Sequence, residues 1–173
     1  MSLESARGLR ASGHHEQVRE LLVALAQQRP KDAIVAYETA CVHDYLGFEK
    51  QAVPFYLAAL DLQLPSELRR TAYTGLGSTY RTLGMFAESR ATLERGLQEF
   101  PEAKEMQVFL AMANHNLGAS KSAVESLLTL LVKTTNDPQV RAYARAIEFY
   151  AQDLGRTWPD VAAAPLALPD QSP

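Results

Sequence analysis

The sequence predicts an all-α protein built from a row of antiparallel helix pairs. In the clearest stretch, residues 72–101, Tyr73, Leu76, Tyr80 and Leu83 recur at spacings of three and four, which places them on one face of a helix. Leu-Gly pairs mark turns at regular intervals along the chain. Helix breakers are few, because the chain has nine glycines and nine prolines, and four of the prolines follow residue 158.

The turns between the helices are predicted from a register of glycines. Gly13, Gly47, Gly84, Gly118 and Gly155 lie 34, 37, 34 and 37 residues apart, and the last four follow a leucine. Glycine readily adopts a positive φ, which suits it to the position where a helix ends and a turn begins. A period of this length is typical of stacked helix–turn–helix units.

Capping residues and prolines predict the helix boundaries. Asp32 precedes a helical pattern and is predicted to cap its N-terminus. Asn136-Asp137-Pro138 combines a capping residue with a proline at the first helical position. Ser66 and Ser120 are predicted to cap the helices that follow them. The prolines predicted to stop second helices are Pro30, Pro65 and Pro101.

These boundaries predict one solenoid domain over residues 1–155, followed by a tail. The tail, residues 156–173, has four prolines and no helical period, so it is predicted to be extended. The predicted units of the solenoid are about 1–31, 33–66, 70–103 and 104–137, followed by a capping helix over 138–154.

Composition and charge exclude several classes of function. The net charge is −3 and lysines and arginines do not cluster, which predicts no nucleic-acid partner and no polybasic membrane anchor. The longest apolar run, Leu21–Ala26, is far shorter than the ~20 residues that span a bilayer. The N-terminus has no apolar core of a signal peptide, and the single cysteine, Cys41, cannot form an internal disulfide. We therefore expect a cytoplasmic protein.

The central unit resembles the tetratricopeptide repeat, a helix–turn–helix unit of about 34 residues. The resemblance covers roughly residues 3–155 and implies a right-handed α–α superhelix of about 3.5 to 4 repeats with a C-terminal capping helix. The whole chain is also similar to a bacterial subgroup of small, stand-alone tetratricopeptide proteins that mostly lack an assigned function. The matching residues of the central unit are Tyr73, Leu76-Gly77, Tyr80, Leu83-Gly84, Leu93 and Pro101.

The resemblance implies that the first helix of each unit lines a concave groove. Apolar and aromatic side chains at groove positions could anchor a peptide or a helix of a partner, or could instead pack against neighbouring first helices. The candidate partner-binding residues at these positions are Tyr37, Cys41, Asp44, Tyr45, Arg81, Val108, Met112, His115, Arg145 and Phe149.

Charged groove positions suggest a further possibility. Arg7, Arg10, Arg81 and Arg145 could form a positive stripe that favours an acidic partner, or they could be four separate solvated arginines.

No pattern in the sequence predicts an active site, a cofactor or a metal site. Cys41 and His43 are two residues apart on a helix and therefore point to different faces. The pair His14-His15 lacks further ligands at metal spacing, and nothing in the sequence holds His115 beside Asp44. We therefore predict a non-catalytic adaptor that binds a peptide or helical segment of a protein partner in its groove.

The alternative is a self-associating structural protein, a homodimer through its tail or terminal helix. The tail itself carries apolar side chains that could dock in a groove of the same chain or of a neighbour. These residues are Trp158, Val161, Leu166 and Leu168.

Overall fold

A computed structural model describes residues 2–157, so the predicted tail from residue 158 onward lies outside the described residues. Within residues 2–157 the chain forms ten helices and no strand, which confirms the predicted all-α class. The helices are α1 (Leu3–Ala11), α2 (His15–Gln28), α3 (Ala33–Tyr45), α4 (Glu49–Asp61), α5 (Ser66–Thr82), α6 (Phe86–Glu99), α7 (Lys104–Asn116), α8 (Ser120–Thr134), α9 (Pro138–Ala142) and α10 (Ala144–Tyr150).

The first eight helices form four consecutive pairs, and a glycine closes the turn inside each pair. Gly13, Gly47, Gly84 and Gly118 have φ between +75° and +87°, a conformation that other residues rarely adopt. The predicted glycine register is therefore confirmed for these four turns. The fifth glycine, Gly155, does not have a positive φ and follows α10 without joining two helices.

The core runs along the row of pairs, because each helix from α1 to α7 packs on the next one in the chain. The larger cluster joins α3 to α7 and contains Tyr73, Leu76, Leu93 and Met106, all fully buried. A smaller cluster joins α1, α2 and α3. Apolar side chains from both helices of a pair thus pack against the next pair, as in a stacked repeat array.

Two of the four predicted caps are confirmed. Asp32 accepts hydrogen bonds from the backbone N–H groups of residues 34 and 35, and Asp137 does the same for residues 139 and 140. The predictions for Ser66 and Ser120 are wrong, because each is the first residue of its helix. Ala119 is the N-cap residue of α8 and makes no side-chain capping hydrogen bond, but its carbonyl oxygen accepts a hydrogen bond of 3.0 Å from the N–H of Ala123.

The predicted single helix over 138–154 is in fact two short helices. Tyr143 lies between α9 and α10 with φ −100° and ψ 7°, outside the range of regular helix. After the interruption, α10 packs on α8. No helix within the described range is long and apolar enough to cross a membrane.

Candidate functional site

The candidate site is the first-helix face, which we define as the surface formed by α1, α3, α5 and α7. These helices are neighbours, because α3 packs on α5 and α5 packs on α7. At the N-terminal end, Arg7 of α1 donates two hydrogen bonds of 2.9 Å to Glu38 of α3. The face is therefore one continuous surface along the array.

Polar side chains cross from one first helix to the next at nearly equivalent positions. Their separations along the chain are 31 to 35 residues, close to one repeat, so each contact joins a unit to its neighbour. These contacts satisfy many of the polar groups on the face. The pairs are Arg7–Glu38, Tyr37–Thr71, Asp44–Thr79, Arg70–Glu105 and Arg81–Asn116.

Tyr37 and Cys41 lie half-buried on α3. The Tyr37 hydroxyl is 2.9 Å from the Thr71 hydroxyl of α5, and burial raises the pKa of Tyr37 to about 12. Burial also raises the pKa of the Cys41 thiol. The thiol is therefore protonated at neutral pH and is a poor nucleophile.

Asp44 joins three helices. Its Oδ2 accepts a hydrogen bond of 3.3 Å from the Tyr56 hydroxyl of α4, and its Oδ1 lies 2.9 Å from the Thr79 hydroxyl of α5. Burial raises the pKa of Asp44. The Thr79 hydroxyl is also 2.8 Å from the Gly75 carbonyl oxygen, and its single proton can serve only one of these acceptors. A protonated Asp44 satisfies both contacts, because it can donate to Thr79 itself.

Replacing Asp44 by asparagine is expected to change how stability depends on pH. Because the pKa of Asp44 is raised in the folded state, the folded chain binds this proton more tightly than the unfolded chain. The wild type therefore loses stability as the pH rises from about 4, the unfolded pKa, through the raised pKa. Asparagine has no charge to bury, so relative to wild type Asp44→Asn should gain stability between about pH 4 and pH 7.

Urea unfolding at about pH 4 and at about pH 7 measures how the free energy of unfolding differs between Asp44→Asn and wild type. Asp61→Asn, at an exposed position on α4, is the control and should show a smaller change. If the free-energy difference between Asp44→Asn and wild type is the same at both pH values, the raised pKa is contradicted.

Tyr45 is highly exposed, whereas Arg81 is half-buried against the neighbouring helix. The Tyr45 side chain is 69% exposed and its ring lies 4.3 Å from the ring of His15 on α2, so it is at the edge of the face near the turns. Arg81 is half-buried and donates a hydrogen bond of 2.9 Å to the Asn116 side chain of α7.

The three candidates on α7 lie at the last first helix of the row. Met112 is 37% exposed, Val108 is half-buried, and His115 is exposed with its Nδ1 2.9 Å from the Ser120 hydroxyl. In the row of first helices, α5 packs on α3 and α7 packs on α5. The C-terminal helix α10 packs on α8 instead, so within the described residues it does not extend this row beyond α7. This leaves the α7 surface more open than its equivalents.

The last two candidates belong to α10. Arg145 is exposed, and Phe149 is half-buried with its ring 5.6 Å from that of Tyr150 in an edge-to-face arrangement. The ten predicted residues are thus spread over α3, α5, α7 and α10 and do not converge on one point.

The sequence interpretation missed Glu38. This side chain is 6% exposed, and besides its bonds from Arg7 it lies 3.1 Å from Nη1 of Arg10, an ion pair without hydrogen-bond geometry. Arg7 and Arg10 therefore pair with a buried carboxylate, and Arg81 pairs with Asn116, so three arginines of the suggested positive stripe already have partners. The signal that could have revealed this contact is the glutamate itself, which stands among the apolar residues of α3.

A large cleft lies away from the candidate residues. It encloses about 740 Å³ beside the N-terminus of α3 and is lined by residues 29–34, Gln63 and Pro65. At this N-terminus of α3, the N–H groups of residues 34 and 35 donate hydrogen bonds to the Asp32 side chain. Among the residues that the structure describes, no group of three or more histidine, cysteine, aspartate or glutamate side chains is placed to hold a metal ion.

Comparison with known families agrees with the geometry. A family model described as Tetratrico peptide repeat matches residues 33–154, well over half of the 173-residue chain. A search among curated proteins finds no match. The matched range begins at α3 and ends after α10, so it includes the three helix pairs that follow α1 and α2. The chain belongs to the tetratricopeptide repeat family.

Proposed function

We propose that this protein is a non-catalytic adaptor of the cytoplasm that holds a peptide or helical segment of another protein in the concave groove formed by the first-helix face. Repeat arrays of its family generally mediate protein–protein interactions. The observation that carries the proposal is the exposed apolar surface of α7, where Met112 is 37% exposed.

The α7 surface supports the proposal because it departs from the rest of the row. Cys41 and Ser78 occupy the positions equivalent to Met112 on α3 and α5, and both are half-buried between neighbouring helices. Methionine is flexible and polarisable, which suits it to contact with an apolar partner side chain. Val108, one turn before Met112, extends the same apolar surface.

We assign the predicted site residues to two roles. The half-buried residues that already contact neighbouring helices shape the floor of the groove: Tyr37, Cys41, Asp44 and Arg81. The remaining candidates contact the partner: Val108, Met112 and His115 at the centre, with Tyr45, Arg145 and Phe149 on either side.

Site-specific photo-crosslinking in the native host tests the proposal. A photoreactive phenylalanine analogue at position 112 should give a crosslink to a protein partner. The same analogue at position 57 should not, because Leu57 is exposed on α4, a second helix that faces away from the groove. Equal yields at the two positions, or a crosslink at position 57 alone, would reject the first-helix face as the binding surface.

Self-association is the second candidate function. It is favoured by apolar exposure on α8 and at the break between α9 and α10, where Leu131 and Tyr143 are each more than 40% exposed. Light scattering at micromolar concentration distinguishes a self-associating protein from a monomeric adaptor, since a homodimer has twice the mass of the 19.1 kDa chain.

A further inference from the structure

An apolar cleft of about 580 Å³ opens where α9 and α10 meet α8, separate from the first-helix face. Its apolar lining consists of Leu131, Val140, Tyr143, Ala146, Ile147 and Tyr150. The apolar side chain of Leu131, on α8, is 43% exposed.

The apolar surface continues from this cleft along α8. Val124, Leu127 and Leu131 recur at spacings of three and four, which places them in one stripe, and each is at least 36% exposed. Exposed apolar stripes contiguous with a cleft mark sites of interaction.

The described chain ends beside this surface. Asp153 pairs with Lys121 of α8, and the Leu154 N–H donates a hydrogen bond of 3.1 Å to Oε1 of Glu125, also on α8. Ala151 is buried just before them. These contacts hold the start of the following segment against the N-terminal half of α8.

The segment that follows, residues 158–173, has the composition of an apolar ligand. Its sequence, WPDVAAAPLALPDQSP, carries Trp158, Val161, Leu166 and Leu168, and only two charged side chains. Its four prolines have no N–H to satisfy, so the segment can lie extended against a surface without pairing as a strand.

The segment is long enough to reach the cleft. Sixteen residues span up to roughly 50 Å when extended. Along α8, Leu131 lies only six residues beyond Glu125, which is about 9 Å of helix.

We propose that residues 158–173 dock in cis on the apolar surface of α8, α9 and α10, with Trp158 or a following apolar side chain in the cleft beside Leu131. The tail then covers this end of the solenoid. The inference does not depend on the proposed partner groove, which is centred on α7. The two partner-contact candidates on α10, Arg145 and Phe149, do not line the cleft.

The fluorescence of Trp158 tests the docking directly, because it is the single tryptophan of the chain. In the full-length protein its emission should be blue-shifted relative to free tryptophan amide and protected from acrylamide quenching. Both effects should be independent of protein concentration in samples that light scattering shows to be monomeric. Emission equal to that of free tryptophan amide would overturn the proposal.

A matched pair of variants identifies the surface. Leu131→Asp should shift the emission to the red, whereas Leu57→Asp should not, and both leucines are 43% exposed in the wild type. Tyr143→Glu, also at an exposed position, should shift the emission to the red as Leu131→Asp does. Circular dichroism of each variant checks that it is folded. An unchanged blue shift in Leu131→Asp and Tyr143→Glu would contradict the docking site. A blue shift that appears only as dimers form would show that a second copy occupies the surface instead.

Discussion

Replacing Leu93 by alanine is expected to lower the free energy of unfolding by about 3 kcal/mol, the typical cost of a Leu→Ala cavity in a close-packed core. Leu93 is fully buried on α6 and packs in the cluster that joins α3 to α7. Since each unit of a repeat array is stabilised by its neighbours, a cavity at the central pair weakens the array on both sides. Urea unfolding followed by circular dichroism measures the loss.

Gly77 explains why this site is so tightly packed. It lies inside α5, where alanine would normally be about 1 kcal/mol more favourable than glycine. Here a Cβ at position 77 would lie 2.5 Å from Cγ of Leu93, so Gly77→Ala is expected to destabilise the protein.

The double variant Gly77→Ala/Leu93→Ala separates packing from other effects. The methyl group at position 77 then enters the space that Leu93 leaves. The double variant should therefore lose less free energy of unfolding than the sum of the losses in the two single variants. Strict additivity of the two free-energy changes would contradict the contact between α5 and α6 at this position.

Replacing Glu38 by alanine is expected to lower the free energy of unfolding by about 2 kcal/mol. Breaking a buried ion pair typically costs about 3–5 kcal/mol. The cost is lower here because the arginine partners of Glu38 are partly exposed and can be rehydrated. Glu38 accepts two hydrogen bonds from Arg7 and pairs with Arg10, both on α1. The single buried residue of α1 is Ala6, so these contacts are a large part of what holds α1 to α3.

Hydrogen exchange and urea unfolding together check this prediction. Amides of α1 should lose protection in Glu38→Ala before those of the central pairs do. Glu16→Ala is the control, since Glu16 forms an exposed pair of 2.9 Å with Arg19 on its own helix and should change stability by less than about 0.5 kcal/mol. Equal effects of the two substitutions would contradict the role of Glu38.

The repeat itself was predictable from the sequence because its signals are local. Gly47 and Gly84 adopt the positive φ that only glycine tolerates well, and Asp32 caps the helix directly after it. Such signals need only the residues on either side. The break at Tyr143 was not predictable in this way, because the segment from 138 onward reads as one helix until its packing on α8 is known.

The contacts across the first-helix face were harder to predict. The resemblance placed Tyr37, Asp44 and Arg81 at groove positions, but which of them turn toward a neighbour depends on side-chain geometry between units about 35 residues apart. Glu38 was missed for the same reason, since its partners lie on α1. Periodicity fixes which helices are adjacent, whereas the pairing of their polar side chains follows from the packed structure.

The affinity for the partner segment identified by crosslinking at position 112 is the most direct test of the proposed groove. Met112→Asp should weaken binding of that segment about tenfold or more, as loss of a central apolar contact does. Met85→Asp should leave the affinity unchanged, because Met85 is equally exposed, at 37%, but lies in the turn between α5 and α6. The same dissociation constant for Met112→Asp and wild type would contradict the assignment of α7 as the binding surface.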